Sequence, residues 1–127
     1  MFITADQILA HLVGDYILQS HWMATEKTKR SAAAAAHALT YTLPFLFITL
    51  DPMALAIISG THFVIDRWRL ARFVVWAKNT PWQPWAECSG TGYHKDVPPW
   101  LSVWLLIIAD NTLHLLCNGA AIYLVNN

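Results

Sequence analysis

The stretch SAAAAAHALTYTLPFLFITLDPMALAIISGTHFVID, residues 31–66, decides the fold. It consists of two apolar segments that only Asp51 and Pro52 separate. Because proline suits the first position of a helix, this pair predicts a very short turn between two helices. We predict one helix over residues 32–50, which Pro44 kinks, and a second that begins directly after the turn.

Two further helices are expected on either side of this stretch. An amphipathic helix is predicted over residues 3–19, and a long apolar one over residues 100–125. The third helix is apolar as far as Ile65, which is short of the roughly 20 residues that span a bilayer, so its second half should emerge or lie at the surface. Residues 79–99 are rich in proline, glycine and tryptophan and are predicted to form a loop.

The composition favours a membrane protein. Hydrophobic residues make up 56% of the 127 residues and charged residues only 13%, and the mean hydropathy is +0.37. A soluble domain carries about 25% charged residues. We therefore predict an all-α fold with a single membrane domain over residues 1–127. It is a four-helix transmembrane bundle, with a tryptophan-rich cytoplasmic loop between helices three and four.

The basic residues predict the orientation of this bundle. All eight lysines and arginines lie in the first connection or between the end of the third helix and the fourth. By the positive-inside rule both connections face the cytoplasm, which places both termini on the opposite side of a bacterial inner membrane. Five tryptophans near the same boundary are expected to form an interfacial belt: Trp68, Trp76, Trp82, Trp85 and Trp100.

Seven ionisable residues interrupt the apolar segments, where each costs several kcal/mol and usually serves a function. They are His11, Asp15, His37, His62, Asp66, Asp110 and His114. Six of them form three pairs with a separation of four residues, which places both members of a pair on one helix face. The pairs can meet near the middle of the membrane, and the remaining histidine can reach the same level.

Imidazole and carboxylate groups together bind divalent metal ions, so these seven residues are the predicted metal ligands. We expect one or two ions per chain, with zinc as the preferred metal and a bridging carboxylate if there are two. His37 and Asp66 are also the predicted catalytic residues, with His37 a further ligand or a general base. A bound metal lowers the pKa of its water to about 7 and so supplies hydroxide for hydrolysis.

Three arginines follow the His62/Asp66 pair and suit a phosphate headgroup: Arg67, Arg69 and Arg72. The sequence thus predicts a membrane-embedded, metal-dependent hydrolase that acts on a phosphoester or a lipid-borne ester. Its partner is a membrane lipid or a lipid-linked substrate. The net charge of zero gives no field that would favour nucleic acid. The sequence leaves open whether the protein is an enzyme and whether it forms a homo-oligomer.

Three alternatives stay open. The first is a His–Asp network that holds the helices together without metal, since polar contacts between helices also stabilise bundles. The second is transport or relay of protons or metal ions through the same residues. The third is a non-enzymatic membrane interaction protein, with the tryptophan-rich loop as its contact surface. The arginines, for their part, also suit topology anchors.

Four segments carry a family resemblance: ILAHLVGDYILQSHWMATEK, HALTYTLPF, THFVIDRWRLARF and IADNTLHLLCN. Together they resemble a family of small bacterial and phage membrane proteins catalogued as domain of unknown function 3307. The resemblance covers nearly the whole chain. It supports the choice of site residues and implies no activity. A looser likeness to membrane-bound metal-dependent hydrolases of bacteria, without a shared order of motifs, is an analogy only.

Overall fold

The computed structural model describes residues 2–79 and 83–127, and within these ranges the regular structure is entirely helical. An isolated β-bridge between Cys88 and His94 is the one extended pairing there. The predicted all-α class is confirmed. Trp82, which was predicted to belong to an interfacial belt, lies outside the described residues.

The chain divides into two compact units. The first holds the residues up to Trp68 together with His114–Asn127, and the second holds Arg69–Leu113. The prediction of a single membrane domain over residues 1–127 stays a prediction.

The first predicted helix is shorter than expected and changes its winding. Helix α1 covers Ala5–Leu12 and continues into one turn of π-helix over Val13–Ile17. A short helix α2 follows over His21–Glu26, and the Ser20 hydroxyl caps it by accepting a hydrogen bond from the Met23 N–H at 3.3 Å.

The two central predicted helices are both present, with different ends. Helix α3 covers Ser31–Thr42 and tightens into a 3₁₀-helix over Leu43–Phe47, so Pro44 ends the α-helix rather than kinking it. Helix α4 covers Pro52–Trp68. The Asp51 carboxylate caps its start by accepting hydrogen bonds from two N–H groups, at 2.8 and 3.1 Å.

The second unit contains the rest of the basic and aromatic segment. Arg69 has a φ of 52°, a left-handed conformation that ends α4, and helix α5 then covers Ala71–Asn79. A 3₁₀-turn over Trp85–Glu87 interrupts the predicted loop. The last helix, α6, covers Pro99–Asn126 and passes from the second unit into the first.

Within the described residues, α6 is the one helix that is long and apolar enough to cross a membrane by length and composition. The predicted bundle of four spanning helices is therefore not supported. Helix α4 has 17 residues and is about 26 Å long, against a hydrocarbon core of about 30 Å. The first and second predicted spans are shorter because the π-turn and Pro44 interrupt them.

The interior of the first unit combines small apolar residues with many polar ones. Helix α3 packs against α4, and Ala33, Ala34 and Ala38 of α3 are buried. The buried polar and charged side chains of this unit are Gln7, His11, Asp15, His37, His62, Asp66, His114 and Asn118. Six of the seven predicted metal ligands thus lie in one interior.

Candidate metal centre

Four of the predicted ligands converge on one point inside the first unit. We call them the inner cage: Asp15, His37, His62 and Asp66. The π-helix supplies the first, α3 the second, and α4 the last two. None of the four residues is more than 6% exposed. One ligand atom from each lies within 4.8 Å of the others, a set that could hold a metal ion.

Each imidazole nitrogen of the inner cage lies close to the three other ligand atoms. His37 Nε2 lies 2.9 Å from His62 Nε2, 3.1 Å from Asp15 Oδ1 and 3.2 Å from Asp66 Oδ2. His62 Nε2 lies 3.4 and 3.3 Å from the same two oxygens. A tetrahedral metal with bonds of about 2.0–2.1 Å separates its ligand atoms by about 3.3 Å. The four atoms therefore surround a space that fits one such ion.

Helix geometry explains how the sequence builds the cage. His62 and Asp66 are four residues apart in α4 and face the same side, as their spacing predicts. Asp15 comes from the π-turn, and π-turns within helices are frequent at functional sites. Gly14 allows this turn to lie against α3, because a Cβ there would be 2.7 Å from Tyr41 Cδ2 and 2.8 Å from the Tyr41 carbonyl oxygen.

Two more predicted ligands contact the carboxylates of the cage from outside. His114 Nε2 lies 3.2 Å from Asp66 Oδ1, the oxygen that does not face the cage atoms. His11 Nδ1 lies 3.7 Å from Asp15 Oδ2. Each carboxylate thus has one oxygen in the cage and its other oxygen near a histidine. Partners of this kind orient the ligands of metal sites in proteins.

Tyr41 contacts His11 outside the cage and His62 within it, and it was not predicted from the sequence. Its hydroxyl lies 2.8 Å from His11 Nδ1 and accepts a hydrogen bond from Asn118 Nδ2 at 2.6 Å. Its ring stacks on the His62 ring with 3.6 Å between centroids. The available signal was its position four residues after His37, on the same face of α3.

Lys27 is the second residue that sequence reasoning missed. Its Nζ lies 2.7 Å from Asp66 Oδ2 and 3.4 Å from His37 Nε2, although it belongs to the polar turn after α2. Arg67 ties this turn to α4, donating a hydrogen bond to the Thr28 carbonyl at 2.7 Å and one to the Ser31 hydroxyl at 3.3 Å. A basic residue in a polar connection gives no sequence signal of such a contact.

An unsatisfied atom in the cage favours a cation. Asp66 Oδ2 accepts no hydrogen bond of good geometry from any described residue, because its contact with Lys27 is an ion pair only. Buried polar atoms without partners are rare in proteins, and a bound ion or water often satisfies them. A positive ion at the centre would bond the carboxylate oxygen and both facing Nε2 atoms.

The remaining predicted site residues divide between the two units. Asp110 is on α6, four residues before His114, but belongs to the second unit. Arg69 and Arg72 are also in the second unit, where the Arg72 guanidinium lies 4.7 Å from the centre of the Phe73 ring. Arg67 is in the first unit and bonds the turn after α2. The predicted roles of these four residues stay predictions.

The comparison with known proteins gives a family and no activity. A family profile described as a protein of unknown function (DUF3307) matches residues 3–124. No curated protein and no solved structure matches the chain. Because the match spans nearly all of the 127 residues, the chain belongs to the DUF3307 family.

Proposed function

We propose that this protein is a membrane-embedded, metal-dependent hydrolase that acts on a phosphoester or another lipid-borne ester. One observation carries the proposal: two imidazoles and two carboxylates converge in the interior, with their ligand atoms within 4.8 Å of one another and each imidazole nitrogen 2.9–3.4 Å from the other three atoms. Two charged carboxylates in an interior need positive charge beside them. A divalent ion would supply it, and the four residues of the inner cage would hold that ion.

The donor set suggests the metal. Two nitrogen and two carboxylate oxygen ligands suit zinc, iron and manganese, and the tetrahedral shape makes zinc the first candidate. We propose one ion per chain in the inner cage. The four residues of the inner cage would hold the metal, and hydrolysis would require water as an additional ligand. The bound metal would acidify that water and supply hydroxide near neutral pH.

The predicted site residues then take different roles. His37 and Asp66 would act through the metal as ligands, because both contribute an atom to the inner cage. His11 and His114 would hold the two carboxylates in position from outside. For Asp110 we keep the proposed ligand role, and for the three arginines the proposed headgroup contact.

The distribution of side chains supports a membrane location. In the first unit the histidines and aspartates of the site are buried, whereas Phe47 is 95%, Leu50 79% and Ile17 74% exposed. Water would penalise that arrangement and hydrocarbon would favour it. A lipid environment also agrees with the long apolar helix α6. We propose a bacterial inner membrane, with both termini on the non-cytoplasmic side and a lipid-linked substrate.

Metal analysis of the detergent-purified protein tests the centre. The wild type should contain about one equivalent of metal by ICP-MS, and the His37→Ala/His62→Ala variant should contain less than a tenth of that. His21→Ala is the matched control, because this histidine is exposed on α2 and should leave the metal content unchanged. Metal retained at full stoichiometry in the double variant contradicts the proposal.

Hydrolysis is measured on the same preparations with an aryl phosphodiester and with phospholipid vesicles. Activity should follow the metal content and return when zinc or manganese is added after chelation. If the metal-loaded wild type cleaves neither a phosphoester nor a lipid ester, the proposed hydrolase activity is contradicted and only the proposed metal binding remains.

A relay of protons or metal ions is the second candidate. Buried polar residues continue along α1 from His11 to Gln7, four residues earlier, and Gln7 is only 4% exposed. A row of buried polar residues along one helix suits the movement of ions as well as the positioning of metal ligands. Flux of protons or zinc in liposomes that scales with the protein, and stops in His11→Ala, would favour the relay over the hydrolase.

A further inference from the structure

Lys27 places a positive charge where a metal ion would act. Its Nζ lies 2.7 Å from Asp66 Oδ2 and 3.4 Å from His37 Nε2, and both of these are atoms of the inner cage. The lysine side chain is 19% exposed, so the ammonium has given up most of its contact with solvent. The contact is therefore a property of the site and not a pairing on the surface.

The ammonium and a divalent ion make competing demands on the same oxygen. Two positive charges a few ångströms apart repel strongly in an interior poor in water. The two carboxylates of the cage carry two negative charges, of which Lys27 compensates one and a divalent ion compensates both. We propose that Lys27 and the metal are alternative partners of Asp66, so that the metal binds when Lys27 leaves and Lys27 closes the cage when the metal leaves.

The local structure allows this exchange without unfolding. Arg67 holds the turn after α2 through the Thr28 carbonyl and the Ser31 hydroxyl, at 2.7 and 3.3 Å. Since the backbone is tied to α4 beside Asp66, rotation of the flexible Lys27 side chain is sufficient. The inference rests on the proposed metal centre and adds a regulator to it, namely an internal cation that sets the affinity for metal.

Lys29 provides a matched control on the same turn. Its Nζ pairs with Glu26 Oε1 at 3.5 Å, and its side chain is 68% exposed. Replacing either lysine with methionine removes one positive charge from the turn and keeps a long side chain. A general effect of net charge would change both variants equally, whereas competition in the cage would change one.

The first experiment titrates the full-length chain in detergent micelles with Co²⁺ after chelation, since the visible absorption of this ion reports its coordination. Lys27→Met should bind Co²⁺ at least tenfold more tightly than the wild type, and Lys29→Met within twofold of it. Equal or weaker binding by Lys27→Met, while the wild type still binds, overturns the exchange and leaves the proposed metal centre intact.

The second experiment uses the wild type and stays decisive if Lys27→Met fails to fold. Brief acetylation with acetic anhydride, read by mass spectrometry, compares the labelling of Lys27 with that of Lys29 with and without Zn²⁺. Metal should raise the relative labelling of Lys27 at least fivefold. Unchanged or reduced labelling in protein that has bound zinc overturns the exchange.

Two further outcomes of the Co²⁺ titration bear on the proposed function as well as on the exchange. Binding of Co²⁺ by Lys27→Met but not by the wild type would support competition between Lys27 and the metal for Asp66, but would remove the exchange and the metal centre from the native protein. The cage would then be a network that Lys27 completes. Absence of binding in both proteins, each shown to be helical by circular dichroism, would overturn both proposals.

Discussion

The close contact between Gly14 and Tyr41 gives a prediction whose magnitude follows from the structure. In Gly14→Ala the new methyl group would lie 2.7 Å from the Tyr41 ring and 2.8 Å from the Tyr41 carbonyl oxygen. The ring has no room to withdraw, because Tyr41 is 0% exposed and its hydroxyl lies 2.8 Å from His11 Nδ1. The backbone of the π-turn or of α3 must therefore shift.

Gly60 is the matched control, since a Cβ at that position in α4 would meet nothing within 4 Å. Both substitutions gain about 1 kcal/mol from the greater helix propensity of alanine. Only Gly14→Ala carries the cost of overpacking, about 1–3 kcal/mol. The free energies of unfolding of the two variants should thus differ by about 1–3 kcal/mol, a factor of roughly 5 to 150 in the equilibrium constant.

Unfolding by SDS in mixed micelles, followed by circular dichroism, measures this difference. We expect Gly60→Ala to unfold at a higher SDS fraction than the wild type, and Gly14→Ala at a lower fraction than Gly60→Ala. Because Asp15 follows Gly14 directly, Gly14→Ala should also weaken Co²⁺ binding. If the two variants unfold at the same SDS fraction and bind Co²⁺ equally, the packing of the π-turn on Tyr41 does not constrain the fold in this way.

Two more predictions concern single contacts. Tyr41→Phe removes the hydroxyl that contacts His11 and Asn118 and should destabilise the protein by about 1–3 kcal/mol in the same SDS assay. An unchanged midpoint would show that these two hydrogen bonds do not contribute to stability. In the exposed loop, the Lys95 ammonium lies 2.6 Å from the Glu87 carboxylate and, by its hydrogen bond and then its charge, lowers the pKa of Glu87. That stabilisation is complete above the ordinary carboxyl pKa and is lost as the pH falls through the lowered value. Lys95→Met should therefore raise the pKa of Glu87 in an NMR titration, and a constant pKa would contradict this account.

Spacing predicted the parts of the site that depend on one helix. The four-residue separation of His62 and Asp66 placed both on one face of α4, and their ligand atoms lie 3.3 Å apart. The same separation put His11 within 3.7 Å of the Asp15 carboxylate, but Asp15 lies in a π-turn and His11 Nδ1 lies closer to the Tyr41 hydroxyl, at 2.8 Å. A sequence pattern with the period of an α-helix does not reveal a local change of winding.

Contacts between segments could not be predicted from the sequence. Lys27 reaches Asp66 because Arg67 fixes the turn after α2, a tertiary arrangement that no spacing encodes. The predicted helix lengths were wrong where one residue changed the backbone, as at Pro44 and Arg69. The turn at Asp51 was predicted correctly because its chemistry is local.

The single π-turn makes the centre sensitive to chain length as well as to side-chain chemistry. Its wider winding over Val13–Ile17 accommodates an additional residue in an otherwise α-helical segment. Deleting one codon here would let regular α-helix replace the π-turn, so the flanking helix faces would keep their alignment while the wider turn that carries Asp15 is lost. Asp15 would then change its position relative to the other three residues of the inner cage although no ligand had been substituted. Among relatives of this chain, a gap of one residue in this turn is therefore as informative about the centre as a lost histidine.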